Sequence, residues 1–124
     1  MQNIMTYHIG LLFLRVLVAG MLLYHGIQKI EILTMDTIAF SDPIGIGSTP
    51  SLMLTLFAEV ICTILVIIGF KIRWFSIPII VLMVVAAFVV HGADPFAVKE
   101  KALLYLVTFT TLFLTGGGRY VLKK

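Results

Sequence analysis

Residues 51–70, SLMLTLFAEVICTILVIIGF, carry a single charged side chain, Glu59, in an otherwise apolar run. At ~1.5 Å of rise per residue, a helix of this length extends ~30 Å, the thickness of a bilayer's hydrocarbon core. Its apolar residues follow one another without the alternation of a barrel strand, so the reading is a membrane-crossing helix. With the charges used as fences, comparable runs appear at Ile9 to Gly26, Trp74 to Val90 and Ala102 to Gly118. The expectation is an all-α transmembrane four-helix bundle forming one domain over residues 1–124, with spans at about 8–28, 51–70, 74–92 and 99–118.

Composition agrees with a lipid environment. The chain is 60% hydrophobic and 12% charged, with a mean hydropathy of +1.13. A soluble domain carries roughly 25% charged residues, and one this small has too little interior to hide such an apolar excess. The net charge of +3 comes from nine scattered Lys and Arg, which excludes a nucleic-acid binder and suits membrane orientation instead. Cys62 is the only cysteine, so an intrachain disulfide, a CxxC pair, a haem-attachment motif and an iron–sulfur ligand set are all excluded, and its place in the second run reads as apolar packing. The start, MQNIMTYHIG, lacks the basic region and cleavage site of a signal peptide, so the first run is expected to stay in place.

The connections differ in kind. Gly69 to Arg73 reads as a tight hairpin, and Asp94-Pro95 as a turn. Between Ile30 and Pro50, Ile32, Leu33, Met35, Ile38 and Phe40 mix with Glu31, Asp36 and Asp42, which predicts a short helix in the interface, broken by Pro43, Gly45 and Gly47. Ser48 or Thr49 is expected to cap the next helix. Four crossings bring Lys71, Arg73, Arg119, Lys123 and Lys124 to one face against Lys29, Lys99 and Lys101 on the other. The positive-inside rule then puts both termini in the cytoplasm.

An ionisable side chain at mid-bilayer costs at least ~2.5–3.5 kcal/mol, which marks each one as a functional candidate. Counted from the cytoplasmic face, Arg15 is about 7 residues in, or ~10 Å, and Glu59 about 10 residues, or ~15 Å. They read as an intramembrane polar pair that either pins helix one to helix two or leaves Glu59 as a proton-carrying group in a cavity. Thr55 and Thr63 stand one turn either side of Glu59 and keep that face polar. At the opposite mouth, antiparallel threading brings His25, Lys29, His91 and Glu100 to one depth, with Tyr105 one turn below Lys101. Such a set suits a polar head group or a proton better than a metal. Tyr24-His25-Gly26 and Val90-His91-Gly92, each followed by an Asp-Pro and then by a glutamate-bearing helix, also hint at two related hairpins.

The ordered set of Arg15, His25-Gly26-x-x-Lys29, Glu59, Gly69-x-x-x-Arg73, His91, Glu100 with Leu103-Leu104-Tyr105, and Gly118-Arg119-Tyr120 resembles the DoxX family of small bacterial membrane proteins. The likeness covers nearly the whole chain. It departs at the tail, where a family pattern like GPGRYSLD reads Gly116-Gly117-Gly118-Arg119-Tyr120-Val121-Leu122-Lys123-Lys124, and at the hairpin, where Lys71-Ile72-Arg73 replaces a small residue, Thr and Arg. The resemblance implies a four-helix bundle of the bacterial inner membrane and, through relatives linked to quinol-dependent oxidation and redox stress, a small accessory subunit of a quinone-linked oxidoreductase. Its quinone would meet His25, Lys29, His91, Glu100 and Tyr105, and its electrons would come from a redox partner protein. Two other readings stay open. One is a small-molecule or proton-coupled transporter using Glu59, for which four helices require a homo-oligomer or a very small substrate; the other is a non-catalytic scaffold whose charges knit the helices together.

Overall fold

A computed structural model describes residues 4–35 and 37–124. Met1, Gln2, Asn3 and Asp36 lie outside the described residues, and with them the very start of the expected uncleaved N-terminus and one acidic position of the expected interfacial segment. The chain is all-helical, with no strand among the described residues apart from a single bridge between Phe70 and Lys123. The helices are α1 (Ile4–Ile30), α2 (Ser48–Ile68), α3 (Ile72–Val90) and α4 (Phe96–Thr115).

Three of them, α1, α2 and α3, are long and apolar enough to cross a membrane. α4 has the length but carries Lys99, Glu100 and Lys101 close to its start. Each helix begins earlier than charge fencing alone implies. The expected fourth span also overshoots: Gly116, at φ +71°, stops α4, and Gly117 and Gly118 lie beyond it. The α2–α3 hairpin is as tight as its sequence suggests. Gly69 takes a left-handed φ of +82°, and Phe70 N–H reaches back to the Leu65 carbonyl at 2.9 Å, a glycine stop that satisfies otherwise orphaned carbonyls.

The connection between α1 and α2 corrects the expectation of a short interfacial helix. One 3₁₀ turn, Glu31–Thr34, continues α1, and irregular backbone follows. Asp42 organises this loop through its carboxylate. Oδ2 accepts the Gly47 N–H at 2.8 Å, while Oδ1 accepts the Ile46 N–H and the Ser51 hydroxyl, each at 2.9 Å. With glycines at positive φ in between, this turn leaves no room for a helix. The expected capping by Ser48 or Thr49 is likewise replaced: neither side chain caps α2, and Asp42 holds its first turn instead.

The core joins Ala19 and Leu22 of α1 to Ala58, Cys62 and Val66 of α2, Ile79 and Met83 of α3, and Phe109 and Leu112 of α4. Large apolar side chains such as Phe13, Met21, Trp74, Val107 and Leu114 point outward, as lipid-facing residues do. α1 packs on α2, and α3 packs along α4, giving two hairpins. They are joined through the later part of α2, residues 57–68, against which α3 rests; α3 makes at most marginal contact with Ser48–Leu56. The pairs are therefore tied at one end and splayed at the other.

The tied end is closed by the C-terminal tail. Leu122 and Lys123 N–H groups donate to the Gly69 carbonyl at 3.1 Å, Lys71 N–H donates to the Lys123 carbonyl at 2.8 Å, and Arg119 N–H donates to His8 Nδ1 at 2.9 Å. The start of α1, the α2–α3 turn and the tail thus share one end of the molecule.

Candidate functional site

Glu59 is 4% exposed and lies in a π-helical turn, Phe57–Cys62, within α2. A π turn inserts an extra residue and loosens the backbone ladder, a distortion that recurs at functional sites. Thr63 Oγ1 donates to the Glu59 carbonyl at 2.7 Å, so this hydroxyl serves the backbone; Thr55 likewise donates to the Ser51 carbonyl at 2.9 Å. Opposite the turn, Gly26 of α1 lets the two helices meet with no side chain between them.

The carboxylate of Glu59 pairs with Lys29, whose Nζ stands 2.6 Å from Oε1. The expected Arg15–Glu59 pairing is therefore corrected. Arg15, 2% exposed, turns toward the tied end of the molecule. There its guanidinium donates to three backbone carbonyls: Tyr120 at 2.8 Å, Gly117 at 3.2 Å and Ile67 at 3.3 Å. The planar fork of arginine suits this task, because it can reach several acceptors at once. The two buried charges belong to opposite halves of the molecule and have different partners.

Lys29 and Glu59 face a cavity of about 670 Å³ between the splayed hairpins. Its walls are mostly apolar, with polar side chains contributed chiefly by α1, α2 and α4. His25, Lys29, His91 and Tyr105 all line it, so the structure brings together four of the five residues expected at this mouth. Glu100 is the exception: it is exposed and faces away, and Lys101 takes the place on the cavity wall. His25 and Tyr105 stand edge to face with ring centroids 6.5 Å apart, and Lys101, Lys29 and Glu59 all lie close enough to His25 to act on its charge. The Tyr105 hydroxyl has no hydrogen-bond partner among the described residues, which leaves a donor facing the space. His91 sits at the rim, with Nδ1 2.9 Å from Asp94 Oδ2.

Phe40, Ser41, Pro43 and Ile44 roof the cavity, so the loop between α1 and α2 belongs to the site. Its position depends on Asp42. Slight desolvation acts to raise that exposed carboxyl, but hydrogen bonds from Gly47, Ser51, Ile46 and Gly45 outweigh it and hold the group below the ordinary carboxylate range. Asp94 does a different job in the second hairpin, at His91, and Glu100 is exposed where Glu59 is buried. The two halves of the suspected internal echo are thus built differently. Sequence reasoning missed Lys101 and the roof; Lys101 was within reach, because it stands four residues before Tyr105 and shares its helical face.

This set can receive a polar head group. Lys29, Tyr105 and His25 supply donors, Glu59 supplies a carboxylate, and the apolar walls suit a hydrocarbon body. Among the described residues, no group of three or more His, Cys, Asp or Glu is placed to hold a metal ion. A family model described as DoxX matches residues 10–92. That stretch contains Arg15, His25, Gly26, Lys29, Glu59 and His91, and it stops short of Tyr105. No curated protein and no solved structure matches the chain.

Proposed function

The chain belongs to the DoxX family and is an integral membrane protein; from that premise we propose that it is a small accessory subunit of a quinone-linked redox system. All four helices cross the bacterial inner membrane in this reading. Both termini face the cytoplasm, and the start of α4, with Lys99, Glu100 and Lys101, lies at the outer surface. The observation that carries the proposal is the Lys29–Glu59 ion pair, 2.6 Å apart, on the wall of an apolar cavity that Tyr105 also lines, its hydroxyl without a hydrogen-bond partner among the described residues. A quinone ring presents two carbonyl oxygens that accept hydrogen bonds, and Lys29, Tyr105 and His25 are the donors that orient it. Glu59 and His25 hold and release the protons that accompany its reduction. A bound quinone supplies the redox chemistry, with electrons exchanged through a partner protein.

The test is equilibrium binding of a tritiated quinone to the purified protein in lipid nanodiscs, alongside Lys29→Met and Tyr105→Phe. Specific binding by the unaltered protein, weakened about tenfold or more in each variant while helicity is retained, supports the reading. Absence of saturable binding removes it.

A second reading, a proton-coupled carrier, draws on the same ion pair, because a carboxylate released from its lysine can take up a proton. It requires a homo-oligomer or a very small substrate. Proton flux in liposomes that is unchanged by Glu59→Gln would count against it.

A further inference from the structure

The cavity does not end at its polar wall. It continues between α2 and α3 to Leu54 and Val81, which line it and are 56% and 57% exposed on the lipid-facing surface. Phe57 and Ile77 flank the same passage. The opening follows from the fold: α3 rests on residues 57–68 of α2 and leaves Ser48–Leu56 nearly untouched, so the two helices part on the side of Glu59 that faces the loop. Pro78 within α3 and the π turns Phe57–Cys62 and Ala86–Val90 all contribute residues to the wall of this cleft. Phe40, Ser41, Pro43 and Ile44 line the cavity above it, and the side between α2 and α3 is rimmed by the exposed apolar residues Leu54 and Val81.

We propose that this cleft is a lateral doorway, through which a chain-bearing amphiphile of the bilayer brings its head to Lys29 and Glu59 while its hydrocarbon chain lies between α2 and α3. This rests on the head-group reading above and adds the ligand class and its route. Carrying a chain through water is disfavoured by roughly fourfold per methylene, so a long-chain ligand needs an entrance at bilayer depth. The other candidate entrance, a flatter groove between α1 and α4 at Gly20 and Met21, meets the site only behind the His25 and Tyr105 rings. The cleft between α2 and α3 reaches Glu59 directly.

The experiment uses the full chain in nanodiscs of phosphatidylethanolamine and phosphatidylglycerol. Two tritiated probes are compared: a dimethoxy-methyl benzoquinone bearing a decyl chain, and the same ring without it. Leu54→Trp and Val81→Trp narrow the doorway from its lipid-facing rim without touching the polar wall. Gly20→Leu fills the opposite groove, where a side chain meets open space. The expected result is a loss of about tenfold or more for the chain-bearing probe in both tryptophan variants, with the ring-only probe held within about twofold and Gly20→Leu without effect. Retained ring-only binding also reports that the variants are folded. Chain-bearing binding that survives both tryptophan variants, that is lost in Gly20→Leu instead, or that falls in step with ring-only binding overturns the doorway while leaving the head-group site standing. Failure of both probes on the unaltered protein overturns that site and the doorway with it.

Discussion

Gly26 of α1 meets the backbone of Glu59 in α2 so closely that a Cβ on Gly26 would lie 2.8 Å from the Glu59 Cβ and 2.9 Å from its carbonyl carbon and oxygen. The neighbour is backbone, which cannot swing aside as a flexible side chain would. Gly26→Ala should therefore push the helices apart, at a cost of about 1–3 kcal/mol, and spoil the approach of Lys29 one turn on. Thermal unfolding in detergent micelles measures the first effect and head-group binding the second. A fully stable, binding-competent Gly26→Ala protein would show that the crossing is looser than it looks.

The partners of the two buried charges make a sharper contrast. Removing Lys29 strands a carboxylate that is 4% exposed, for which about 3–5 kcal/mol is the usual penalty when one member of a buried pair is lost. Lys29→Met with Glu59→Leu removes both charges together and should recover most of the stability, giving a coupling above about 1 kcal/mol in a double-mutant cycle. Arg15→Met with Glu59→Leu, by contrast, should be additive to within about 0.5 kcal/mol, because the two residues share no partner. Strong coupling between Arg15 and Glu59 would restore the pairing suggested by their depths alone.

What could be read from the residues alone, and what could not, follows from the range of each signal. A membrane-spanning helix needs a long, uninterrupted apolar run, a one-dimensional pattern, so α1, α2 and α3 were legible. His25, Lys29, His91 and Tyr105 were legible as a group because antiparallel helices bring distant positions to a common depth. Depth is only one coordinate, however. Successive residues on a helix point about 100° apart, and depth alone does not say that Lys101 lines the cavity while Glu100 does not. The partners of Arg15 are backbone carbonyls, which leave no mark in a side-chain pattern. Gly116, Gly117 and Gly118 were the only hint that the tail folds back to provide them. The long, flexible stem of Lys29 lets its charge act away from its own backbone level, which depth counting does not capture. Phe40 read as part of a short interfacial helix that Pro43 breaks, whereas Asp42 bends the segment into a turn and Phe40, Pro43 and Ile44 together line the cavity.

The tail and Arg15 should behave as one structural unit. Truncation before Gly117 removes the acceptors at Gly117 and Tyr120, each of which contributes about 1.5–3 kcal/mol as a hydrogen bond to a charged group. Arg15→Lys cannot reproduce the fork that spans three carbonyls and should destabilise nearly as much as Arg15→Met. Once the tail is gone, either substitution should cost distinctly less than it does in the full chain. Guanidinium-free unfolding curves of the six proteins in micelles provide the comparison. Equal costs with and without the tail would mean that the Ile67 carbonyl alone holds the guanidinium.

Asp42 gives the site a dependence on acid that is separate from its ligand chemistry. Its carboxyl is held below the ordinary carboxylate range in the folded loop, after hydrogen bonds from Gly47, Ser51, Ile46 and Gly45 overcome the opposing effect of slight desolvation. A group with a depressed folded pKa stabilises the folded form above its unfolded value, near ~3.9 for aspartate. That contribution fades as the pH drops through the still lower folded value. The 40–44 roof should therefore stay ordered from neutral pH down to about 4 and loosen only in stronger acid. Hydrogen exchange over residues 37–47, with quenching matched across pH, reads this out. Asp42→Asn removes the titrating charge, so its roof should be looser at neutral pH and nearly indifferent to acid. Because Phe40 and Ile44 line the cavity, the same variant should also weaken retention of a chain-bearing ligand at neutral pH, where the unaltered roof is closed. A pH profile identical to that of the unaltered protein would mean that the loop is held by its apolar packing and that the Asp42 hydrogen bonds are incidental.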